Sequence, residues 1–352
     1  MISEIKVSAE RDYTVHISNS WRGSLTESVQ GRTRVALIVS ESLTSRVQNL
    51  DLGSAEVFTF AIPDGEAGKS SSTLIKIWDW LGAAGFTRSD LIVGIGGGAV
   101  TDFAGFAAAS WLRGLDWIAI PTTVAGAVDA AIGGKTAINS DYGKNLIGAF
   151  HSPVKVIIDL DWFSTLTDRD FAAGLAEVVK CGFISDGKIL DILRGKKTAE
   201  IRKDLSLVKE LVERAVKVKG EVVSQDFKES FAREALNYGH TLGHAVELDC
   251  GYSLRHGECV AIGMAFMANL QLDLGLITKE LTSDHLQILQ DLDLPIKYKR
   301  ESWPKLLAHM AVDKKSRGNS LRFVTISEIG KTDRLENPDP KTLYAAYEKV
   351  SS

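Results

Sequence analysis

The chain has 352 residues, 45% of them hydrophobic and 24% charged, a balance that suits a folded protein of two domains and excludes a disordered or fibrous one. Its formal net charge of -4 gives no global attraction to nucleic acid or to an anionic membrane, so any anion must be caught by a local basic site. Cys181, Cys250 and Cys259 form no CxxC pair, which argues against a disulfide framework or a thiolate zinc site. The first residues lack an apolar core after basic residues, and no later apolar run nears the roughly 18 residues that span a bilayer. A cytoplasmic protein without membrane or nucleic-acid partners is expected.

In chain order, short β-branched runs at 34–39, 56–60, 91–93, 117–120 and 154–158 alternate with amphipathic segments. This predicts an α/β, Rossmann-like nucleotide-binding domain over residues 1–163, its sheet partly or wholly parallel. Leu74, Ile77, Trp78 and Leu81 fall at helical spacing and predict a crossover helix over 72–85. The run Phe103 to Leu112 predicts a buried helix. Beyond residue 164 the pattern turns to long 3.6-residue periods, as at 205–223 and 257–274, with a strand expected at 321–326. A mainly helical second domain over 164–352 follows.

After the strand at 91–93, Gly94-x-Gly96-x-x-Ala99, with Gly97 and Gly98 inside it, satisfies a dinucleotide fingerprint. Absent side chains there let backbone N–H groups and a helix N-terminus approach a pyrophosphate. The alternative is a tight turn, and the run sits far from the N-terminus with no acid about 20 residues on, unlike the ordinary unit. Asp102, Thr122 and Thr123 stand where strand ends would offer hydrogen bonds to a cofactor, or where caps and turns would use them. In Pro63-Asp-Gly-Glu-Ala-Gly-Lys69, Glu66 can accept from a ribose diol and Lys69 can meet a phosphate; a carboxylate there favours NAD over NADP. A turn with a solvated face is the competing reading.

Three of the seven histidines, His240, His244 and His256, lie within 17 positions. His240 and His244 are four apart and share a helical face, so spacing alone favours them as a metal pair. Imidazole suits Zn2+, whose catalytic sites use three protein ligands and keep one position open. Glu177, on a helix expected over 168–181 among small apolar residues, is the carboxylate candidate; a Glu177–Lys180 ion pair is the alternative. Between Val128 and Gly148, glycines flank Asp129, Lys135, Lys144 and Asn145, groups able to hold a phosphate or substrate oxygens. Arg113, Lys219, Arg233 and the Asp313-Lys314-Lys315 run add cations. Together they suggest an anionic small-molecule substrate, though any single lysine is more often a solubiliser.

From Pro63 to Val324 these motifs resemble, in one order, the 3-dehydroquinate synthase family of sugar-phosphate cyclases. The carriers are Pro-Asp-Gly-Glu-Ala-Gly-Lys69, Gly-Gly-Gly-Ala-Val-Thr-Asp102, Pro-Thr-Thr123, Val-Asp129-Ala-Ala-Ile-Gly-Gly-Lys135-Thr, Gly-Lys144-Asn145-Leu-Ile-Gly, Ala-Glu177-Val-Val-Lys180, Leu-Asn237-Tyr-Gly-His240-Thr-Leu-Gly-His244 and His256-Gly-Glu. The resemblance implies conversion of 3-deoxy-D-arabino-heptulosonate 7-phosphate to 3-dehydroquinate and phosphate, a lyase reaction of aromatic amino-acid biosynthesis with NAD regenerated in each turnover. It implies one Zn2+, or Co2+, on Glu177, His240 and His256, which moves His244 to the substrate. It places Lys135, Asn145, Asn237, His244 and Lys314, with Lys315 as the alternative, around the phosphate, and Arg113 there from the other subunit of a homodimer. Lys219 and Arg233 would meet the carboxylate, and Asp129, Lys144 and Lys180 the metal and hydroxyl side. NAD contacts would come from Glu66, Lys69, Gly97, Gly98, Asp102, Thr122, Thr123, Lys135, Lys144 and Thr165. Glu41 stands where the family often has a Thr-Asp pair near the adenosine, and the first 60 residues match loosely. Related cyclases making a valiolone, a deoxy-inosose or an amino-dehydroquinate are the nearest rivals. A glycerol-dehydrogenase-like polyol dehydrogenase and a catalytically dead binding module are the others.

Overall fold

The computed structural model describes residues 3–227, 232–316 and 320–352, with the side chains of 232 and 312–316 outside the description. The side chains of Lys314 and Lys315 therefore fall outside the description. The chain divides into two compact units, Met1–Leu166 with Lys219–Lys228, and Thr167–Val218 with Glu229–Ser352. Among the described residues no helix is long and apolar enough to cross a membrane.

The first unit is built on β1 (Ser3–Ser8), β2 (Asp12–Ser18), α1 (Trp21–Ser28), β3 (Arg34–Ser40), β4 (Glu56–Ile62), α2 (Ser71–Ala83), β5 (Leu91–Gly96), α3 (Gly98–Ser110), β6 (Asp116–Pro121), β7 (Lys135–Ser140), β8 (Gly143–Phe150) and β9 (Lys155–Asp159). Seven strands form one sheet in the order β1-β2-β9-β6-β5-β3-β4. All neighbours run parallel except the β1–β2 edge pair. Val35 to Val39, Leu91 to Val93 and Ile118 to Ile120 are fully buried, as continuous apolar strands covered on both faces must be. From β3 the chain crosses to β4 on one side, and from β5 to β6 on the other. The carboxyl ends of β3 and β5, at Ser40 and Gly96, thus flank the switch point where open α/β sheets bind ligands.

Helix α3 begins at Gly98, earlier than its apolar run suggests, because the polar pair Thr101-Asp102 rides on its first turn and hides the period. It stops at Ser110; Leu112 and Arg113 then take left-handed backbone at φ 48° and 67° before Gly114. That is costly for two side-chain-bearing residues in a row.

The second unit comprises α4 (Asp168–Ile184), α5 (Gly187–Leu193), α6 (Thr198–Lys203), α7 (Leu205–Gln225, up to Val218), α8 (His240–Asp249), α9 (His256–Asp273), α10 (Lys279–Asp291), α11 (Trp303–Ser316), the hairpin β10 (Arg322–Glu328) with β11 (Lys331–Glu336), and α12 (Pro340–Lys349). Every residue of α9 from Gly257 to Gln271 is buried, because α4, α8, α10 and α12 pack around it. Two glycines set how closely: a Cβ on Gly257 would lie 1.8 Å from the Ala173 carbonyl oxygen of α4, and one on Gly263 1.8 Å from the Gly239 carbonyl oxygen that precedes α8.

A buried polar chain runs beside this core. The Ile326 N–H donates to Gln271 Oε1 (2.5 Å), Gln271 Nε2 donates to the Tyr238 hydroxyl (3.2 Å), and that hydroxyl lies 3.0 Å from His285 Nε2. His285 also stacks on Phe183 with centroids 3.5 Å apart. Burial pushes the His285 pKa down to about 4, against the pull of the Leu281 carbonyl. The folded imidazole thus refuses a proton that the unfolded chain takes up below the ordinary histidine value of 6.5. Stability contributed by neutral His285 is therefore lost as pH falls from about 6.5 towards about 4, by roughly 3 kcal/mol at the limit. Urea titrations at pH 7 and pH 5 should show this loss and a shallower pH slope in His285→Gln; an unchanged slope would refute it.

Candidate metal and nucleotide sites

In the second unit, Glu177 of α4, His240 at the first residue of α8 and His256 at the first residue of α9 bring one ligand atom each within 4.8 Å of one another. Glu177 is 1% exposed, and its Oε1 lies 3.6 Å from His240 Nε2 and 3.4 Å from His256 Nε2. Among the described residues neither carboxylate oxygen has a hydrogen bond of proper geometry, although Lys180 Nζ pairs closely with Oε2. The ion pair considered as an alternative is present, and so is the cluster. A buried carboxylate whose oxygens lack such bonds is expensive unless charge compensates it, and a cation on Oε1 would do so.

The two imidazoles are oriented for that role. His240 Nδ1 lies 3.1 Å from the Tyr238 carbonyl oxygen, so it carries the proton and leaves the Nε2 lone pair facing Glu177. His256 turns Nδ1 to Glu247 Oε2 at 3.5 Å, an outer carboxylate of the kind that fixes a ligand's tautomer. Burial would raise the Glu177 pKa, but Lys180 and both histidines hold it well below the usual range. Burial and Lys180 lower His240 and keep it neutral, whereas on His256 the carboxylates Glu177 and Glu247 outweigh burial and push it up to about 10. A two-imidazole, one-carboxylate set with such partners fits Zn2+ or Co2+. The helical pair His240/His244 does share a face, its rings 5.2 Å apart and perpendicular, but His244 is exposed and outside the Glu177 group.

In the first unit the nucleotide candidates are tied together by hydrogen bonds. Lys69 is 2% exposed, and its Nζ donates to Asp102 Oδ2 (2.7 Å) and Asn145 Oδ1 (2.5 Å). Burial pushes the Asp102 carboxyl up, against the Lys69 charge. Asn139 Nδ2 donates to Glu66 Oε2 (2.7 Å), Asn139 Oδ1 accepts from the Asn145 N–H (3.1 Å), and Lys144 Nζ stands 3.6 Å from Glu66 Oε1. The β7–β8 hairpin is thereby pinned to the loop before α2. No side chain caps α3, and a Cβ on Gly97 would meet Thr123 Cγ2 at 3.3 Å while one on Gly98 would meet Ala130 Cβ at 2.9 Å. Bare N–H groups behind glycines are what a pyrophosphate requires. Thr122 is buried, and Thr123 Oγ1 accepts from the Gly126 N–H at 3.0 Å.

The remaining candidates are placed as follows. Lys219 Nζ donates to Asp129 Oδ1 (2.5 Å) and to its carbonyl oxygen (2.6 Å). Arg233 is 2% exposed on the 3-10 segment Ala232–Asn237, where Asn237 Nδ2 is buried and, among the described residues, has no hydrogen-bond partner. Lys135 and Arg113 are exposed, as is Glu41, which opens the 3-10 segment after β3. Thr165 is exposed too, its hydroxyl donating locally to the Trp162 carbonyl oxygen at 2.7 Å.

Sequence reasoning missed the residues that orient others: Asn139, Glu247, and Arg334, whose Nε donates to Glu234 Oε2 (2.7 Å) and anchors the segment bearing Arg233 and Asn237 to β11. Glu247 stands three residues after His244, one helical turn on, which is the only local signal for it; Asn139 and Arg334 had none.

Comparison with known proteins adds the following. Residues 59–173 match the family model described as 3-dehydroquinate synthase N-terminal, and residues 174–316 the one described as 3-dehydroquinate synthase C-terminal. A 3-dehydroquinate synthase of Thermobifida fusca is 46% identical over 344 residues, covering 96% of this chain and 94% of its own. Among solved structures, a 2-epi-5-epi-valiolone synthase from Streptomyces hygroscopicus, with NAD+ and Zn2+ bound, superposes with a TM-score of 0.88 at 25% identity, covering 98% of each chain. A 2-deoxy-scyllo-inosose synthase complexed with carbaglucose-6-phosphate, NAD+ and Co2+ gives 0.86 at 25% identity, covering 99% of this chain and 100% of its own.

Proposed function

Because the chain belongs to the 3-dehydroquinate synthase family, we propose that it turns 3-deoxy-D-arabino-heptulosonate 7-phosphate into 3-dehydroquinate and phosphate, with NAD and one divalent metal as cofactors. The observation that carries this reading is Glu177, a buried carboxylate whose Oε1 faces two oriented imidazoles. Nucleotide handling falls to the first unit, and metal handling to the second.

When bound, NAD takes up and returns a hydride at the C5 alcohol while the metal polarises adjacent hydroxyls. The chain's own groups do the rest. Glu177, His240 and His256 hold the metal; Tyr238 and Glu247 fix the two rings. Lys135, Asn145, Asn237, His244 and Lys314 surround the phosphate, with Arg113 supplied by the other subunit of a homodimer. Asn237, whose buried Nδ2 has no hydrogen-bond partner among the described residues, is suited to donate to an anion there. Arg233 and Lys219 meet the carboxylate, and Asp129, Lys144 and Lys180 line the hydroxyl side. Loss of phosphate needs the proton beside the transient ketone to leave, and closure of the ring needs little beyond a template holding the conformer. Glu66, Lys69, Gly97, Gly98, Asp102, Thr122, Thr123 and Thr165, with Lys135 and Lys144, contact NAD, and Glu41 lies at the adenosine end. The site of action is the cytoplasm.

The test is incubation with the heptulosonate phosphate, NAD and Zn2+, followed by phosphate measurement and identification of the carbocycle. Dehydroquinate with stoichiometric phosphate and no net NADH is expected. Net NADH would identify a polyol dehydrogenase instead, and an amino or carboxylate-free carbocycle a sister cyclase.

Asn139 offers a separate check on the nucleotide half. Asn139→Ala frees Glu66, so the NAD dissociation constant should rise about tenfold, the worth of one hydrogen bond to a charged group. Turnover at saturating NAD should fall less than NAD affinity does, since Asn139 touches the phosphate side only through the backbone N–H of Asn145. Calorimetric NAD binding unchanged from wild type would exclude this role.

A further inference from the structure

His256 stands between two carboxylates. Its Nε2 is 3.4 Å from Glu177 Oε1, and its Nδ1 is 3.5 Å from Glu247 Oε2. Glu247 follows His244 by three residues on α8, so the two project from one face of that helix. Ligand atoms of His244, Glu247 and His256 all lie within 4.8 Å of one another, the same closeness that defines the Glu177 group. The His244 and His256 rings are 5.9 Å apart. Two imidazoles and one carboxylate are again a zinc donor set. The two groups differ in exposure: Glu177 is 1% exposed, whereas the second group includes exposed His244.

We propose that His244, Glu247 and His256 Nδ1 form a second divalent-cation site, weaker than the first, filled when zinc is in excess and inhibitory when filled. It rests on the proposed resident site in one respect, that His256 is shared. On loading, the N–H bond at His256 Nδ1 breaks, the proton leaves to solvent, and the freed electron pair binds the second zinc while Nε2 stays on the first. No electron is transferred, and one extra proton appears per second zinc. His244 is then withdrawn from the substrate phosphate, so excess zinc opposes the phosphorylated substrate and raises its apparent KM.

Metal-stripped full-length protein titrated with Zn2+ alone should take up one tight equivalent and then a second at least about tenfold more weakly, the exposed group being the less enclosed. The second step should release an additional proton, seen by repeating the calorimetry in buffers of different ionisation enthalpy. His244→Ala should keep the tight equivalent and lose the second; Glu247→Gln should also lose the second. His240→Ala should lose the tight equivalent and retain the weak one. Saturation of the wild type at one tight equivalent overturns the proposal and leaves the resident site standing, whereas absence of any tight equivalent overturns the resident site itself. A weak equivalent that persists in both His244→Ala and Glu247→Gln lies elsewhere and also overturns the proposal.

Discussion

His256→Ala should lose tightly bound metal and phosphate release together. Removing one of three ligands leaves Glu177 and His240, and loss of mere outer partners already lowers metal affinity about 10- to 100-fold. A fall in affinity of more than about 100-fold is therefore expected, and of more than about 1000-fold in phosphate release at trace zinc. His256 lies at the start of α9 with its ring half-buried, so the truncation opens no core cavity and the variant should fold. Metal analysis after dialysis against a chelator, paired with phosphate release on the same sample, makes the check. Full activity in the chelated variant would sink the metal assignment.

Gly257→Ala should damage the same site without touching a ligand. Its Cβ would sit 1.8 Å from the Ala173 carbonyl oxygen and 2.6 Å from the carbonyl carbon, so the obstacle is backbone and no rotamer change relieves it. Helices α4 and α9 would have to part, carrying Glu177 away from His256, whose separation is 3.4 Å. Overpacking of this kind costs about 1–3 kcal/mol, at the upper end where backbone must move. Zinc affinity should fall at least about tenfold, because a ligand set tolerates only small displacements. Thermal unfolding and zinc competition with a chromophoric chelator read the two effects. Wild-type values for both would show that the glycine is incidental.

The fold was legible where one physical signal dominated. Strands such as 34–39 and 91–93 are covered on both faces, so each reads as an unbroken apolar run; the first ends one residue later, at Ser40, and the second three later, at Gly96, because Gly94 and Gly96 interrupt its apolar pattern. The start of α3 is hidden, because Thr101 and Asp102 break the apolar period in its first turn. Nor does a single cut in the sequence reveal that the chain from Lys219 on joins the first unit, since the helical period of α7 continues across that point to Gln225. At the site, spacing alone paired His240 with His244, because four residues on a helix is the only proximity a local pattern can express. His256 came from the family resemblance, being a neighbour only after α9 packs on α8. Asn139 and Glu247 act through other residues and have no pattern of their own.

The ligand group around Glu177 also bears on how much of this protein a cell can keep. A ligand that binds only the folded chain stabilises it by RT ln(1 + [L]/Kd), about 4 kcal/mol at a thousandfold excess of metal over Kd. For an ion held by Glu177, His240 and His256, withdrawal at that excess would remove the support and raise the unfolded fraction on the order of a thousandfold, within reach of proteases. Scarcity would then be felt first as a shortened lifetime of the polypeptide, so that the amount of enzyme tracks the metal supply with no dedicated sensor.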